Sequence, residues 1–154
     1  MNDTLTKVIE IDASPEIVFR AISDPAELTN WFPDVAVLEP KVGGKMKFSF
    51  LKESHRKPME IPNDFFNEGK IIEFVKNKKL VYTWKWKDVP DFVETVVSWD
   101  LEQIGANKTK LTLTHSGFTG KEPDMLGVKG HNEGWTFYLG HLVSYCTNNL
   151  KTRG

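Results

Sequence analysis

Cysteine is nearly absent: one stands among 154 residues, so the chain cannot form a disulfide with itself. That residue, Cys146, falls on an apolar stretch, where a buried inert thiol and a reducing, cytoplasmic setting are the expectation. No apolar run approaches the roughly 20 residues that span a bilayer. The start, MNDTLTKVIEI, also lacks the basic-then-apolar order of a secretory signal. Net charge is close to nil, with 20 basic residues against 21 acidic ones, which removes any general attraction to a phosphate backbone. Nucleic acid is therefore a poor partner. There is no GxSxG, Walker loop or GxGxxG, so elbow-serine acyl transfer, nucleotide hydrolysis and dinucleotide chemistry lack their signatures. No two histidines have zinc-ligand spacing, and no metal or cofactor is expected.

What is present is periodicity of two kinds. Over residues 131–150, Trp135, Tyr138, Leu139, Leu142, Val143, Tyr145, Cys146 and Leu150 recur at helical spacing, which predicts a long amphipathic helix in need of an apolar partner. His131 and His141 point to different sides of it, and Phe137 falls off its apolar stripe. Almost all other apolar sequence alternates with period two, so the partner is a sheet. Residues 4–11 suit a first strand. Ser14-Pro15-Glu16 then supplies a cap, a first-turn proline and an acid for a short helix through Ile22. Asp24-Pro25 starts a second short helix, carrying Leu28 and Trp31 and ended by Pro33.

The two-residue period begins at Val35 and Val37, breaks at Gly43-Gly44, and continues through Met46, Phe48 and Phe50. Residues 53–64, with His55, Pro58 and Pro62, read as an exposed loop. Strands are predicted over 66–74, 79–86, 92–101 and 108–115, with short connections that favour an antiparallel meander. On the last of these, Leu111, Leu113 and His115 share the inner side, and Lys108, Lys110, Thr112 and Thr114 share the outer one. The same rule turns Tyr82, Trp84 and Trp86 inward, with Thr95, Val97 and Trp99. Glu94, Asp100 and Glu102 then point outward as solvated charges rather than an acid/base pair. The glycine-bearing span 117–130 reads as an irregular loop and a candidate gate. No repeat or linker divides the chain, so residues 1–154 are expected to form one domain.

The aromatic cluster Trp31, Phe48, Phe50, Tyr82, Trp84, Trp86, Trp99 and Trp135 suits either a filled core or the lining of a cavity between sheet and helix. The cavity reading gives Trp31, Phe48, Phe50, Tyr82, Trp84, Val97, Trp99, Leu113, His115, Trp135, Tyr138, Leu139 and Leu142 as ligand-contacting positions. Tyr82 and Trp84 need hydrogen-bond partners if buried, and a ligand's oxygen atoms could serve. His115 and Tyr82 are the weak candidates for acid/base work; a satisfied structural histidine is the plainer alternative.

The order strand, two short helices, six strands and long helix is that of the helix-grip, START-like (SRPBCC) superfamily. Ala13-Ser14-Pro15-Glu16-Ile17-Val18-Phe19, Asp24-Pro25, Trp31-Phe32-Pro33, Val42-Gly43-Gly44, Gly69-Lys70-Ile71, Leu80-Val81-Tyr82-Thr83-Trp84, the run from Leu111 to Phe118 and Gly134-Trp135 resemble the bacterial and archaeal family related to the activator of the heat-shock-protein-90 ATPase. The turn before Leu80 departs from it, reading Val75-Lys76-Asn77-Lys78-Lys79 where many relatives carry proline. The resemblance implies an α+β helix-grip fold, a curved antiparallel sheet of about six to seven strands, and a cavity under the C-terminal helix. The functional expectation is carriage of a small apolar molecule. A cyclase- or hydrolase-like enzyme and a chaperone-associated or homodimeric partner are the alternatives.

Overall fold

The computed structural model describes residues 4–53, 61, 63–90, 92–123 and 126–147. The expected loop over 54–60, with His55 and Pro58, lies outside the described residues, as do Pro62 and Leu150.

Local sequence signals explain the opening of the chain. Strand β1 (Thr4–Ile11) stops at Asp12, and Ser14 Oγ then accepts from the Ile17 amide at the head of helix α1 (Pro15–Ser23). That helix buries Val18, Phe19, Ala21 and Ile22. The Asp24 carboxylate caps α2 (Pro25–Leu28) by accepting from Ala26 N at 3.0 Å. Pro33 was expected to end this helix, but it ends at Leu28 because the Asn30 side-chain amide takes the Ala26 carbonyl at 2.8 Å, the acceptor a further turn would need. Trp31 therefore lies beyond the helix, with its indole donating to the Ala21 carbonyl at 2.8 Å.

Six strands follow: β2 (Val35–Leu38), β3 (Lys45–Phe50), β4 (Phe65–Val75), β5 (Lys79–Trp86), β6 (Thr95–Gly105) and β7 (Lys108–Ser116). All pair antiparallel in one open sheet ordered β1-β7-β6-β5-β4-β3-β2, a meander whose last strand receives the N-terminal strand at its free edge. Gly69 permits the closest approach within it, since a Cβ there would stand 1.8 Å from the Thr83 carbonyl oxygen. At the β4–β5 turn Asn77 takes φ +64°, a left-handed conformation that a proline ring forbids.

Further boundaries differ from expectation, most of all in β6 and α3. Strand β6 runs over Thr95–Gly105 instead of 92–101, because its outer end is held by the hairpin to β7, bulged between Gln103 and Gly105, whatever its side chains prefer. In β2 the inner residues are Ala36 and Leu38, while Val35 and Val37 are exposed. Helix α3 (Val128–Tyr145) closes the fold and starts three residues ahead of the expected His131, so the preceding loop is shorter than predicted. It lies on the aromatic side of the sheet: Trp135 meets Trp84 at 5.4 Å and Trp99 at 5.6 Å between ring centroids. The lysine- and threonine-bearing side of β7 faces away. The α+β helix-grip architecture is thus the observed one. Among the described residues no helix is long and apolar enough to cross a membrane.

Candidate functional site

Between sheet and α3 lies a cavity of about 460 Å³. Strands supply Phe50, Phe65, Trp84 and Trp86; Phe32, Ile61 and Leu126 come from the connections; α3 supplies Lys129, Gly130, His131, Glu133, Gly134, Trp135 and Tyr138. Lys129 and Glu133 are exposed and mark its mouth, whereas the wall behind them is apolar and mainly aromatic. Gly130 and Gly134 stand one helical turn apart, so the space is opened by the missing side chains of α3 as much as by the sheet. Helix propensity alone disfavours both glycines there.

Phe32 is the packing centre of this wall. Its ring meets Tyr138 at 4.9 Å, Trp135 at 5.2 Å, Phe48 at 5.3 Å and Phe50 at 5.5 Å, mostly edge-on or tilted as aromatic quadrupoles prefer.

One histidine, His131, stands at the inner end, and a second, His115, is packed in the core behind it. His131 Nε2 accepts from the indole N–H groups of both Trp84 and Trp86, each at 3.1 Å, and its Nδ1 lies 3.1 Å from the Gly127 carbonyl. An indole nitrogen only donates, so His131 carries its proton on Nδ1. His115 holds the opposite tautomer: its Nδ1 accepts from Trp135 at 3.1 Å, and its Nε2 donates to Thr95 Oγ1 at 2.7 Å, which passes its own proton to the Trp84 carbonyl. The two imidazoles cross nearly perpendicular, 4.8 Å apart. Burial holds His115 well below its ordinary value, helped by His131; burial brings His131 down to about 4. Both rings are neutral.

The structure sorts the positions named from the sequence into two groups. Phe50, Trp84, Trp135 and Tyr138 border the cavity. Trp31, Phe48, Tyr82, Val97, Trp99, Leu113, His115, Leu139 and Leu142 are packed in the core beside it and are not on its wall. Nor do the polar handles of Tyr82 and Trp84 wait for a ligand: the Tyr82 hydroxyl accepts from Trp99 Nε1 at 3.0 Å, and Trp84 donates to His131. Burial pushes the Tyr82 phenol well above its usual range.

Sequence reasoning missed Phe32, Phe65, Ile61, Trp86 as a wall residue, Leu126, Gly130, His131 and Gly134. A signal existed for the helical ones, since Gly130, Gly134 and Tyr138 share one face at four-residue spacing. Phe137 is half-buried and packs on Tyr138 at 5.1 Å and His141 at 4.6 Å.

The loop before α3 is locally tied. The Glu122 carboxylate accepts from the Thr119 amide at 2.6 Å, from its hydroxyl at 3.0 Å and from the Gly120 amide at 3.0 Å. Residues 124–125 lie outside the described residues. Trp86 borders a second depression of about 620 Å³, which has charged residues Glu68, Lys85, Lys87 and Asp88 around it.

Residues 12–147 match the family described as Activator of Hsp90 ATPase homolog 1-like protein. No match was found among proteins of curated function. Among solved structures, a protein from Chromobacterium violaceum superposes with TM-score 0.77 at 23% identity, over 96% of this chain and 100% of the other. An HSP90 activator from Plasmodium falciparum gives TM-score 0.69 at 23% identity, over 92% and 94%. The Aha1 dimer from Colwellia psychrerythraea gives 0.72 at 20% identity, over 94% and 96%. At such identities the likeness is one of fold.

Proposed function

The chain belongs to the Activator of Hsp90 ATPase homolog 1-like family, and from that premise we propose that it binds and carries a small apolar molecule in the cavity beneath α3. The observation that supports this is the cavity itself: about 460 Å³ lies inside the range of roughly 300–1,000 Å³ usual for small-molecule sites, and aromatic side chains wall it. Carriage fits better than catalysis because His115 and Tyr82 are off the wall and already bonded to Trp135, Thr95 and Trp99.

The test is a Gly134→Leu variant, whose side chain would enter the cavity from α3. Native mass spectrometry of the protein from its own host should find a bound small molecule in the natural chain and little or none in the variant, at a melting temperature no lower than that of the natural chain. An empty natural chain, or equal loading of both, would count against carriage.

A second reading is a protein contact on the outer face. Val35 and Phe66 are 48% and 42% exposed and flank Ser49 in one registered row of β2, β3 and β4. Two structural neighbours are described as an HSP90 activator and as a dimer. In this reading the chain meets a chaperone through that row. Chaperone ATPase rates that the natural chain leaves unmoved, or moves no differently from a Val35→Glu, Phe66→Glu variant, would end it.

A further inference from the structure

The inner end of the cavity holds more hydrogen-bond donors than the acceptors among the described residues can serve. A neutral imidazole has one acceptor nitrogen with one lone pair, yet Trp84 Nε1 and Trp86 Nε1 both aim at His131 Nε2, each at 3.1 Å. Nδ1 cannot help, because it carries the proton directed at the Gly127 carbonyl. Two N–H groups dividing one lone pair are each underserved. Trp84, Trp86 and His131 all belong to the cavity wall. Directly across the strand pair from Trp86, and on the same inward side, Asn67 is 2% exposed, and neither its amide oxygen nor its nitrogen meets a hydrogen-bond partner among the described residues. A buried polar group left unmatched costs about 1–3 kcal/mol, so two indoles sharing one acceptor on the wall of an otherwise apolar space, with an unmatched amide in the strand beside Trp86, are not what packing alone would select.

We infer that the molecule carried by this protein is an apolar body bearing an oxygen acceptor, a carbonyl or an equivalent, and that the oxygen is taken by the indole N–H of Trp86. The inference rests on the carrier reading above and adds the ligand's chemistry. When the oxygen arrives, Trp86 turns its proton to it and Trp84 keeps the whole lone pair of His131. Both indoles are then served. A hydrocarbon of the same shape leaves the shared bond as it was. The preference for an oxygen should therefore match a single net hydrogen bond, about three- to tenfold in Kd.

The probes are 2-acetylnaphthalene and 2-isopropenylnaphthalene, which share shape and differ in C=O against C=CH2. Their binding can be followed by quenching of tryptophan emission. The natural chain should bind the ketone about three- to tenfold more tightly, and Trp86→Phe should bind both alike. In the natural chain the Trp86 indole N–H resonance should shift with the ketone and not with the alkene, a readout that needs no variant. Equal affinities in the natural chain would overturn the oxygen acceptor while leaving the carrier reading intact. A preference that survives Trp86→Phe and disappears in Asn67→Leu would overturn the assignment to Trp86. Failure of both probes to bind would overturn this inference together with the carrier reading.

Discussion

Two imidazoles and three indoles meet at and behind the inner end of the cavity, and each histidine is fixed in one tautomer by what the indoles demand. The folded protein therefore refuses protons that the unfolded chain accepts near pH 6.5. Stability is full above that pH and falls as the pH drops through it, down to about 4 for His131, while burial holds His115 well below its ordinary value too. Inside the window each ring costs about 1.4 kcal/mol per pH unit. Stability against urea should be lower at about pH 5 than at about pH 7, with His131 alone accounting for about 2 kcal/mol of the difference, and His131→Gln should remove that share. A pH-independent unfolding curve would show that the rings are not held neutral. Asn67 offers a second residue-scale test. Asn67→Leu removes an unmatched amide from a position 2% exposed, so thermal unfolding should shift upward by about 1 to 2 kcal/mol of stability. A loss of stability would show that the amide is used within the free protein.

At the scale of elements, α3 carries a conflict between its own stability and the space it borders. Gly134→Ala should raise helix stability by about 0.8–1 kcal/mol, seen in thermal melts, while narrowing the cavity and weakening probe binding. Gain without weaker binding would mean that the bare face of α3 is not used. The helices were legible where caps speak: Ser14-Pro15 and Asp24-Pro25 announce α1 and α2, and the structure starts both there. Their ends were less legible. Asn30 stops α2 through a side-chain hydrogen bond that no periodicity records, and β6 is carried past Leu101 by the hairpin that pairs it. The inward faces of β5 and β7 could be read from alternation alone, since burial follows it from Leu111 to His115.

For the whole molecule, alternation and family motifs sufficed for the architecture but not for the site. Which inward residues close-pack and which border a void is decided by where α3 lacks side chains. A period of two cannot distinguish Tyr82, sealed against Trp99, from Trp86, which faces the space. The sheet's open edges make a further expectation. Amides of β6 and β7, each paired on both sides, should exchange hydrogen most slowly, and those of the four-residue edge strand β2 fastest. Uniform exchange across the sheet would contradict this order. The pairing of the first strand with the last also bears on how the protein is made. On the ribosome Leu5 leaves the exit tunnel long before His115, its registered neighbour, exists. Strand β1 must therefore remain an unpartnered segment until β7 has been made, and the sheet can be completed only then.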